Sequence, residues 1–477
     1  MSRYALLTNQ KFGLILGVCI NLILHPKNTT VETIKSNSPI QELPNHPGSQ
    51  GAFKFIDLFA GLGGFHVAMT ELGGECVFAS ELNKGLKELY DRNFNGGLSF
   101  IRGDIHDIDT ADIPAHDVLC AGFPCQPFSQ AGKRFGLDDP NNGNHFYKIM
   151  DILEQHRPEF FILENVPNMK GHDRGRTWGV IEENLMRFYD VQSGILSPDQ
   201  FGVPQHRKRF YIVGAKKGGV GFGELEFPNP DTSVTRVHDI LAHKRSNRNE
   251  LLRPETERHI QVWEEFVAFM HRHRIPRFPV WATEFGADYP YESKSPRAIG
   301  LSHLRGLKGQ FGHVIQSFGD LPIYAIRNRG AFPSWKKAYI QKNRALWEEH
   351  KSWLSGWVKE LKEFEHSHQK FEWNAGDSAP TFRDKVIQFR PSGIRVKNGN
   401  ATPALVLSKT QVPIVWDDHN HTYRYISPLE AGRLQSFDDD HILPSSANDA
   451  YRALGNAVNS RVVTAILSPV VNRLNIK

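Results

Sequence analysis

Cys125 is the residue best suited to covalent chemistry, and its setting is unusual for a core thiol. The apolar run Val118-Leu119-Cys120-Ala121 reads as a buried strand, Gly122 breaks it, and Pro124 stiffens the turn just before the sulfur. Pro127 and the polar Gln126 and Ser129 then crowd the thiol. A cysteine that only fills a core needs no such turn, whereas a pre-positioned nucleophile does. One carboxylate and two guanidiniums are placed to assist. Glu164 ends the apolar run Phe160-Phe161-Ile162-Leu163, and a carboxylate on such a rim tends to a raised pKa, useful in an acid catalyst. Arg207 and Arg209 lead into Phe210-Tyr211-Ile212-Val213. Strand alternation sends both to one side, toward an anion or a carbonyl.

Strands and turns must hold these groups. Phe53 to Phe59 reads as a strand running into Ala60-Gly61-Leu62-Gly63-Gly64, with a helix from about Phe65. Strand, glycine turn and helix form a nucleotide-type site, here around Asp57, Gly61 and Gly63. The G-x-G-x-x-G pattern fails because His66 stands at its third position. A pyrophosphate needs that close backbone approach; an adenosyl cofactor without phosphate does not. A second strand ends in Glu81, about 20 residues past the turn, where a ribose hydroxyl is held. Asp104 follows the third strand and suits an adenine amino group. Each acid alone also fits a cap or turn. Three successive strand ends carrying Asp57, Glu81 and Asp104 favour a site, and they suit a cationic sulfonium better than a diphosphate. The predicted fold is α/β, a doubly wound, mostly parallel Rossmann-like sheet over 52–235.

Bulk composition sets the outer limits. The chain has 477 residues, net charge +5 and ordinary hydrophobic content. Mild basicity permits a polyanionic partner. Its four cysteines form no C-x-x-C pair and there is no H-E-x-x-H, so neither a disulfide framework nor a metal is expected. A reducing cytoplasm is the natural compartment. Phe12 to Leu24 is apolar but short for a membrane span, which needs roughly 20 residues. It has signal-core length, yet His25-Pro26-Lys27 follows in place of a cleavage site. Residues 1–51 read as an extension and Pro/Gly linker.

Taken in order, these blocks resemble the DNA (cytosine-5) methyltransferase family, of the bacterial restriction-modification type. The resemblance rests on Phe55 to Gly64, Gly122 to Ser129, Glu164-Asn165-Val166 and Gln205-x-Arg207-x-Arg209. It resumes at Arg424 to Ala431, Arg433-Leu434-Gln435-Ser436-Phe437 and Leu454-Gly455-Asn456-Ala457-Val458. It implies S-adenosylmethionine as methyl donor, lined by Phe59, Glu81, Asp104, Pro124 and Asn456. Cys125 is then the nucleophile, Glu164 grips the base, and Arg207 and Arg209 support it. Asn456 requires the C-terminal segment, 424–477, to return beside the first strand.

The interval 236–423 is left as a smaller target-recognition lobe. Trp335 to Trp373 reads as a long amphipathic helix with Trp347, Leu354, Trp357, Leu361 and Phe364 on a stripe that packs on the lobe's own core. Arg390, Arg395 and Lys397, alternating through a Gly/Pro turn, are candidates for DNA contact. The family's usual Thr-Leu pair is not evident; Ala401-Thr402-Pro403-Ala404-Leu405 stands near its place.

For a cytosine substrate, C5 is too weak a nucleophile unaided, and thiolate addition at C6 makes it an enamine. Cys125 does this if nearby positive charge, such as Arg207, lowers its pKa. Glu164 then bonds N3 and the exocyclic amine. The base must leave its stack, at a few kcal/mol, and Gln126 and Ser129 flank the space it vacates. The expected partner is double-stranded DNA, with a cognate restriction endonuclease acting separately and a monomeric enzyme. The alternatives are a tRNA cytosine-5 methyltransferase, whose lobe is usually compact, and a decayed DNA-binding protein, which the intact Cys125, Glu164 and Arg207 disfavour.

Overall fold

Two faces of one central sheet are apolar, and each has found its own cover. A computed structural model describes residues 53–94, 101–124, 144–223, 227–228, 234–242, 250–327, 329–405 and 411–474. The extension 1–51 and the candidates Cys125, Gln126 and Ser129 lie outside the described residues. The sheet uses β1 (Phe53–Leu58), β2 (Gly74–Ser80), β3 (Ile101–Arg102), β4 (Val118–Ala121), β5 (Phe160–Asn165) and β6 (Tyr189–Leu196). After the short β7 (Gln205–His206), it is completed by β8 (Arg209–Lys216). Its order is β3-β2-β1-β4-β5-β8-β6, with only β8 antiparallel to its neighbours.

Strand alternation explains the double cover. Phe53, Phe55, Val118, Cys120, Phe160 and Ile162 turn to one side, onto helix α1 (Gly64–Glu71) and the helix Ser460–Val471. Ile56, Leu58, Leu119, Ala121, Phe161 and Leu163 turn to the other, onto α2 (Asn144–His156) and the helix Arg176–Met186. This is the doubly wound fold expected. The reversal of strand order falls between β1 and β4, where such sheets open a crevice at their carboxyl ends. The C-terminal return also occurs: Thr464 Oγ1 donates to Glu71 Oε2 at 2.9 Å, tying the last helix to α1.

The second sheet forms the smaller lobe. It contains β9 (Val280–Trp281), β10 (Lys370–Asn374), β11 (Lys385–Arg390) and β12 (Gly393–Asn398), and, after β13 (Thr402–Pro403), β14 (Ile414–Asp417) and β15 (Thr422–Tyr425). Its order is β15-β14-β11-β12-β10-β9. One face carries Phe371, Ile394, Val396, Ile387 and Ile414 against Trp263 and Phe266 of the helix Pro254–Arg272 and Leu354 and Trp357 of the helix Ser334–Leu361. The tryptophan stripe is therefore core, as expected. The helix ends at Leu361, short of Trp373, which lies on β10. His350, at φ −121° and ψ 24°, interrupts its regular turns.

Two joints connect lobe and central sheet. β13 pairs in parallel with β7, and Thr402, fully buried, donates its N–H to Pro204 O at 2.8 Å. Thr402-Pro403 thus serves the joint. The second joint is Arg424 on β15, which forms paired bonds of 2.8 Å to both carboxylate oxygens of Glu430. The boundary drawn at residue 424 falls inside this strand.

Candidate active site

The glycine turn is shaped by backbone conformations that few residues adopt. Phe59, Gly61 and Gly63 have φ of 57°, 56° and 82°. Phe59 is the one without glycine's freedom, and such a residue persists only where its surroundings hold it. The hold is visible. Ala60 N–H donates to Ser80 O at 2.9 Å, and Gly61 N–H donates to Glu81 Oε2 at 2.9 Å. Glu81 Oε1 accepts from Asn83 N–H at 2.7 Å. Glu81 therefore pins the turn of β1 to the end of β2. A Cβ on Gly64 would lie 2.2 Å from Val458 O, so this glycine lets the returning C-terminal segment touch the turn.

A cavity of about 1070 Å³ opens at these carboxyl ends. Phe59, Gly61, Glu81, Asp104, Pro124 and Asn456 all line it, as do Glu164, Arg207 and Arg209. The tertiary structure thus brings together residues spread from position 59 to 456. Asp104 also caps a short turn, accepting from His106 N–H at 3.0 Å.

Two expected cofactor residues are placed elsewhere. Asp57 is fully buried and does not line the cavity. Tyr90 Oη donates to its carboxylate at 3.4 Å, and the His66 backbone amide also supports it. Burial pushes its pKa well above the ordinary carboxylate range, against these bonds. Gly63 is likewise behind the turn, where a Cβ would meet the Phe94 ring at 2.3 Å. The reason is strand parity together with the turn: the side of β1 that carries Asp57 faces α1, not the crevice. His66, which breaks the dinucleotide pattern, stacks on Phe94 at 3.8 Å between ring centroids and shares a 2.7 Å bond with Tyr90 Oη. Burial pushes its pKa down to about 3, so it is neutral.

Glu164 is the penultimate residue of β5 and is 7 % exposed. Burial raises its pKa; Arg209 and then Arg207 oppose this without cancelling it. Arg209 Nε lies 2.8 Å from Glu164 Oε1. Arg207 is buried and donates through Nη2 to Ala457 O at 3.0 Å, while its own N–H donates to Ser197 Oγ at 2.9 Å. It therefore bridges the central sheet and the C-terminal segment. A Cβ on Gly122 would lie 3.9 Å from Glu164 Oε2, so the carboxylate borders the turn that leads to Cys125.

Sequence reasoning passed over several residues. Asn165 Nδ2 donates to Phe123 O at 3.3 Å and clamps the segment before Cys125; its position beside Glu164 was the available signal. His145 lines the cavity, meets the Phe59 ring edge-on at 5.1 Å, and shares a 2.8 Å bond with His106. Nothing local in the sequence pairs positions 106 and 145.

The basic candidates of the lobe are not on a turn. Arg390 ends β11, and Arg395 and Lys397 stand on β12. Arg390 and Arg395 both reach Glu372 Oε2, at 3.0 and 2.9 Å. Their charge is partly committed within the sheet.

Comparison with known proteins places this geometry. The sequence profile of C-5 cytosine-specific DNA methylase matches residues 53–472. The type II methyltransferase M.AluI of Cellulosimicrobium cellulans is 31% identical over 88% of this chain and 92% of its own. The type II methyltransferase M.HpaII of Haemophilus parainfluenzae is 43% identical over 43% of this chain and 57% of its own, so the chain spans little more than half of that relative's length. A solved methyltransferase of Entamoeba histolytica, EhMeth, superposes with a TM-score of 0.51 at 13% identity, covering 89% of this chain and 98% of its own, which speaks to the fold alone. Among the described residues no helix is long and apolar enough to cross a membrane. The chain belongs to the C-5 cytosine-specific DNA methylase family.

Proposed function

We propose that this chain is a type II DNA cytosine-5 methyltransferase, using S-adenosylmethionine to methylate C5 of a cytosine rotated out of a specific duplex sequence. The observation that carries the reading is the shared cavity. Phe59, Glu81 and Asp104, with chemistry suited to an adenosyl group, line the same space as Glu164, Arg207 and Arg209, and Pro124 in its wall directly precedes Cys125. The cofactor supplies an electrophilic methyl on a cationic sulfonium, and the cavity's acids fit that charge.

This chain's own groups prepare the base. Glu81 and Asp104 take the sugar hydroxyl and the adenine amine. Glu164, whose pKa burial raises, bonds the ring nitrogen N3 and the exocyclic amine of the cytosine. Arg209 orients that carboxylate. Arg207 fixes the wall of the pocket and, by its charge, favours the Cys125 thiolate. Cys125 adds to C6, which makes C5 nucleophilic, and departs when C5 has lost its proton. Gln126 and Ser129 contact the DNA beside the flipped base.

The second sheet and its helices, within 236–423, form the target-recognition lobe, whose length favours duplex DNA over transfer RNA. The enzyme works as a cytoplasmic monomer and protects DNA from a cognate restriction endonuclease. Residues 1–51 are a dispensable extension. Bisulfite sequencing of DNA from cells expressing the protein tests the activity: conversion-resistant cytosines in one short sequence context are expected, and uniform conversion overturns it. DNA carrying 5-fluorocytosine in that context then tests the nucleophile, since an adduct anywhere but residue 125 removes Cys125 from the mechanism.

A further inference from the structure

The lobe sheet has a second face, opposite its apolar core. Strand register places Lys370, Glu372, Arg395, Lys397, Gln388 and Arg390 on it, with Trp281 paired to Lys370 at the outer edge. At the other end of this face, Val386 and Val415 pack with Leu62, Leu405 and Leu454 around the joint to the central sheet. Lys397 lies near enough to Asp199, beside β7, to feel its charge. The polar face therefore runs from the catalytic side to the far edge of the lobe. Glu372, in the middle of this face, is already shared by Arg390 and Arg395.

At the outer edge, two lysines sit on aromatic rings, and neither forms an ion pair among the described residues; the buried Glu284, which accepts from Tyr324 Oη, acts on Lys370 only from beyond that distance. Lys336 Nζ stands 5.4, 5.0 and 5.6 Å from the ring centres of Tyr324, Phe332 and Trp335. Lys370 Nζ stands 5.2 and 5.0 Å from those of Trp281 and Tyr324. Tyr324 is common to both, so the two ammonium groups are neighbours. Burial lowers the pKa of each; for Lys370 the charge of Lys336 adds to this, and Glu284 opposes it without cancelling it. Neither has a carboxylate within ion-pair distance among the described residues. Partly desolvated like charges brought together are unfavourable unless an anion joins them. Trp335, 52% exposed beside them, offers a ring on the surface.

We propose that Lys336 and Lys370 form an outer clamp for the DNA backbone, binding phosphates of the duplex that flanks the methylated site. The clamp rests on the DNA-methyltransferase reading above. Its ligand chemistry is the phosphodiester, so it adds affinity and salt dependence without reading bases. The aromatic rings hold the ammonium groups in place, and the row Arg395–Lys397 continues the positive track toward the cavity.

The test compares the full chain with K336M/K370M and K336R/K370R on a random-sequence duplex of about 40 base pairs, long enough to cover the lobe. Methionine keeps the apolar stem against the rings, so the fold is retained. Two lost phosphate contacts flatten the slope of log affinity against log salt by about 1.8. Raising salt from about 50 to about 200 mM then weakens wild type about tenfold more than it weakens K336M/K370M. The arginine pair keeps the wild-type slope. A methionine pair with an unchanged slope overturns the clamp. Methyl transfer to saturating DNA is measured alongside: if wild type transfers methyl groups while the slopes agree, the clamp alone fails. If wild type transfers none, the enzymatic reading fails whatever the slopes.

Discussion

Glu164 Oε1 and Arg209 Nε lie 2.8 Å apart, on adjacent antiparallel strands β5 and β8. This ion pair ties a buried carboxylate whose pKa remains raised to a guanidinium that lines the same cavity. The guanidinium orients the acid and stabilises its charge, yet burial still favours the proton. A carboxyl held this way can bond a ring nitrogen and an exocyclic amine without reorganising.

Replacing Glu164 with Gln separates that role from cofactor binding. The amide keeps size and polarity but loses charge and proton exchange. The rate of methyl transfer is expected to fall by about 10²–10⁴-fold. Affinity for S-adenosylhomocysteine should stay near wild type, measured by titration calorimetry. Equal losses in both would assign Glu164 to cofactor binding.

Asp57 supports the turn from behind, so its replacements should rank by polarity and not by charge. Because burial holds its pKa high, the neutral Asp57→Asn should cost less stability than Asp57→Ala. Tyr90→Phe, which removes the donor to its carboxylate, should cost about 1–3 kcal/mol. Chemical denaturation of the three variants checks the ranking. A large, specific loss of cofactor affinity in Asp57→Asn with stability unchanged would restore a direct contact.

Gly64→Ala tests the contact between the turn and the C-terminal return. The added methyl would meet Val458 O at 2.2 Å, and that atom is backbone, which cannot swing away. Destabilisation of about 1–3 kcal/mol is expected from the overpacking. Cofactor affinity should fall with it, because Asn456 sits two residues from the displaced atom. Thermal unfolding with and without S-adenosylhomocysteine reads both effects.

Arg424→Met removes the cation between Asp417 and Glu430. Burial alone would raise both carboxyl pKa values, but bonds from Arg424 hold them below the ordinary range. A depressed folded-state pKa contributes stability above the unfolded value of about 4, and loses it as pH falls through the folded value. The wild-type joint should therefore persist until strongly acid pH. The methionine variant should be about 3–5 kcal/mol less stable at neutral pH, since two buried carboxylates are left without a counter-ion. Starting from this lower stability, its unfolding should still begin at higher pH than wild type, although protonation of the two carboxyls relieves their buried charge and narrows the difference as pH falls. Acid titration followed by tryptophan fluorescence, with most tryptophans in the lobe, measures this. A variant as acid-resistant as wild type would show that the joint does not depend on the triad.

Much of the catalytic sheet was legible because its signals are local. Val118 to Ala121 is apolar without a break since both faces of β4 are covered, and the glycines after β1 answer to φ values that other side chains resist. Asp57 departs from its expected place at the cofactor for a physical reason. Its neighbours in sequence line the crevice, but strand parity turns its own side chain toward α1, and only the buried Tyr90 reveals that it is support. Nothing local in the sequence shows that the charge of Arg390 and Arg395, candidates for DNA contact, is shared, because Glu372, which holds both, is 18 residues before the first of them and on another strand.

By itself, the sequence determined the alternation of strands and helices, the glycine turn and the reactive block around Cys125, because each depends on neighbours a few positions apart. Only the tertiary structure decided which of these groups share a space. Asn456 meets Phe59 in one cavity because the helix Ser460–Val471 buries its apolar face on α1, a contact between residues nearly 400 positions apart that no local pattern encodes. The direction of the lobe's polar face was decided in the same way, by cross-strand register and by the burial of Val386 and Val415 at the joint.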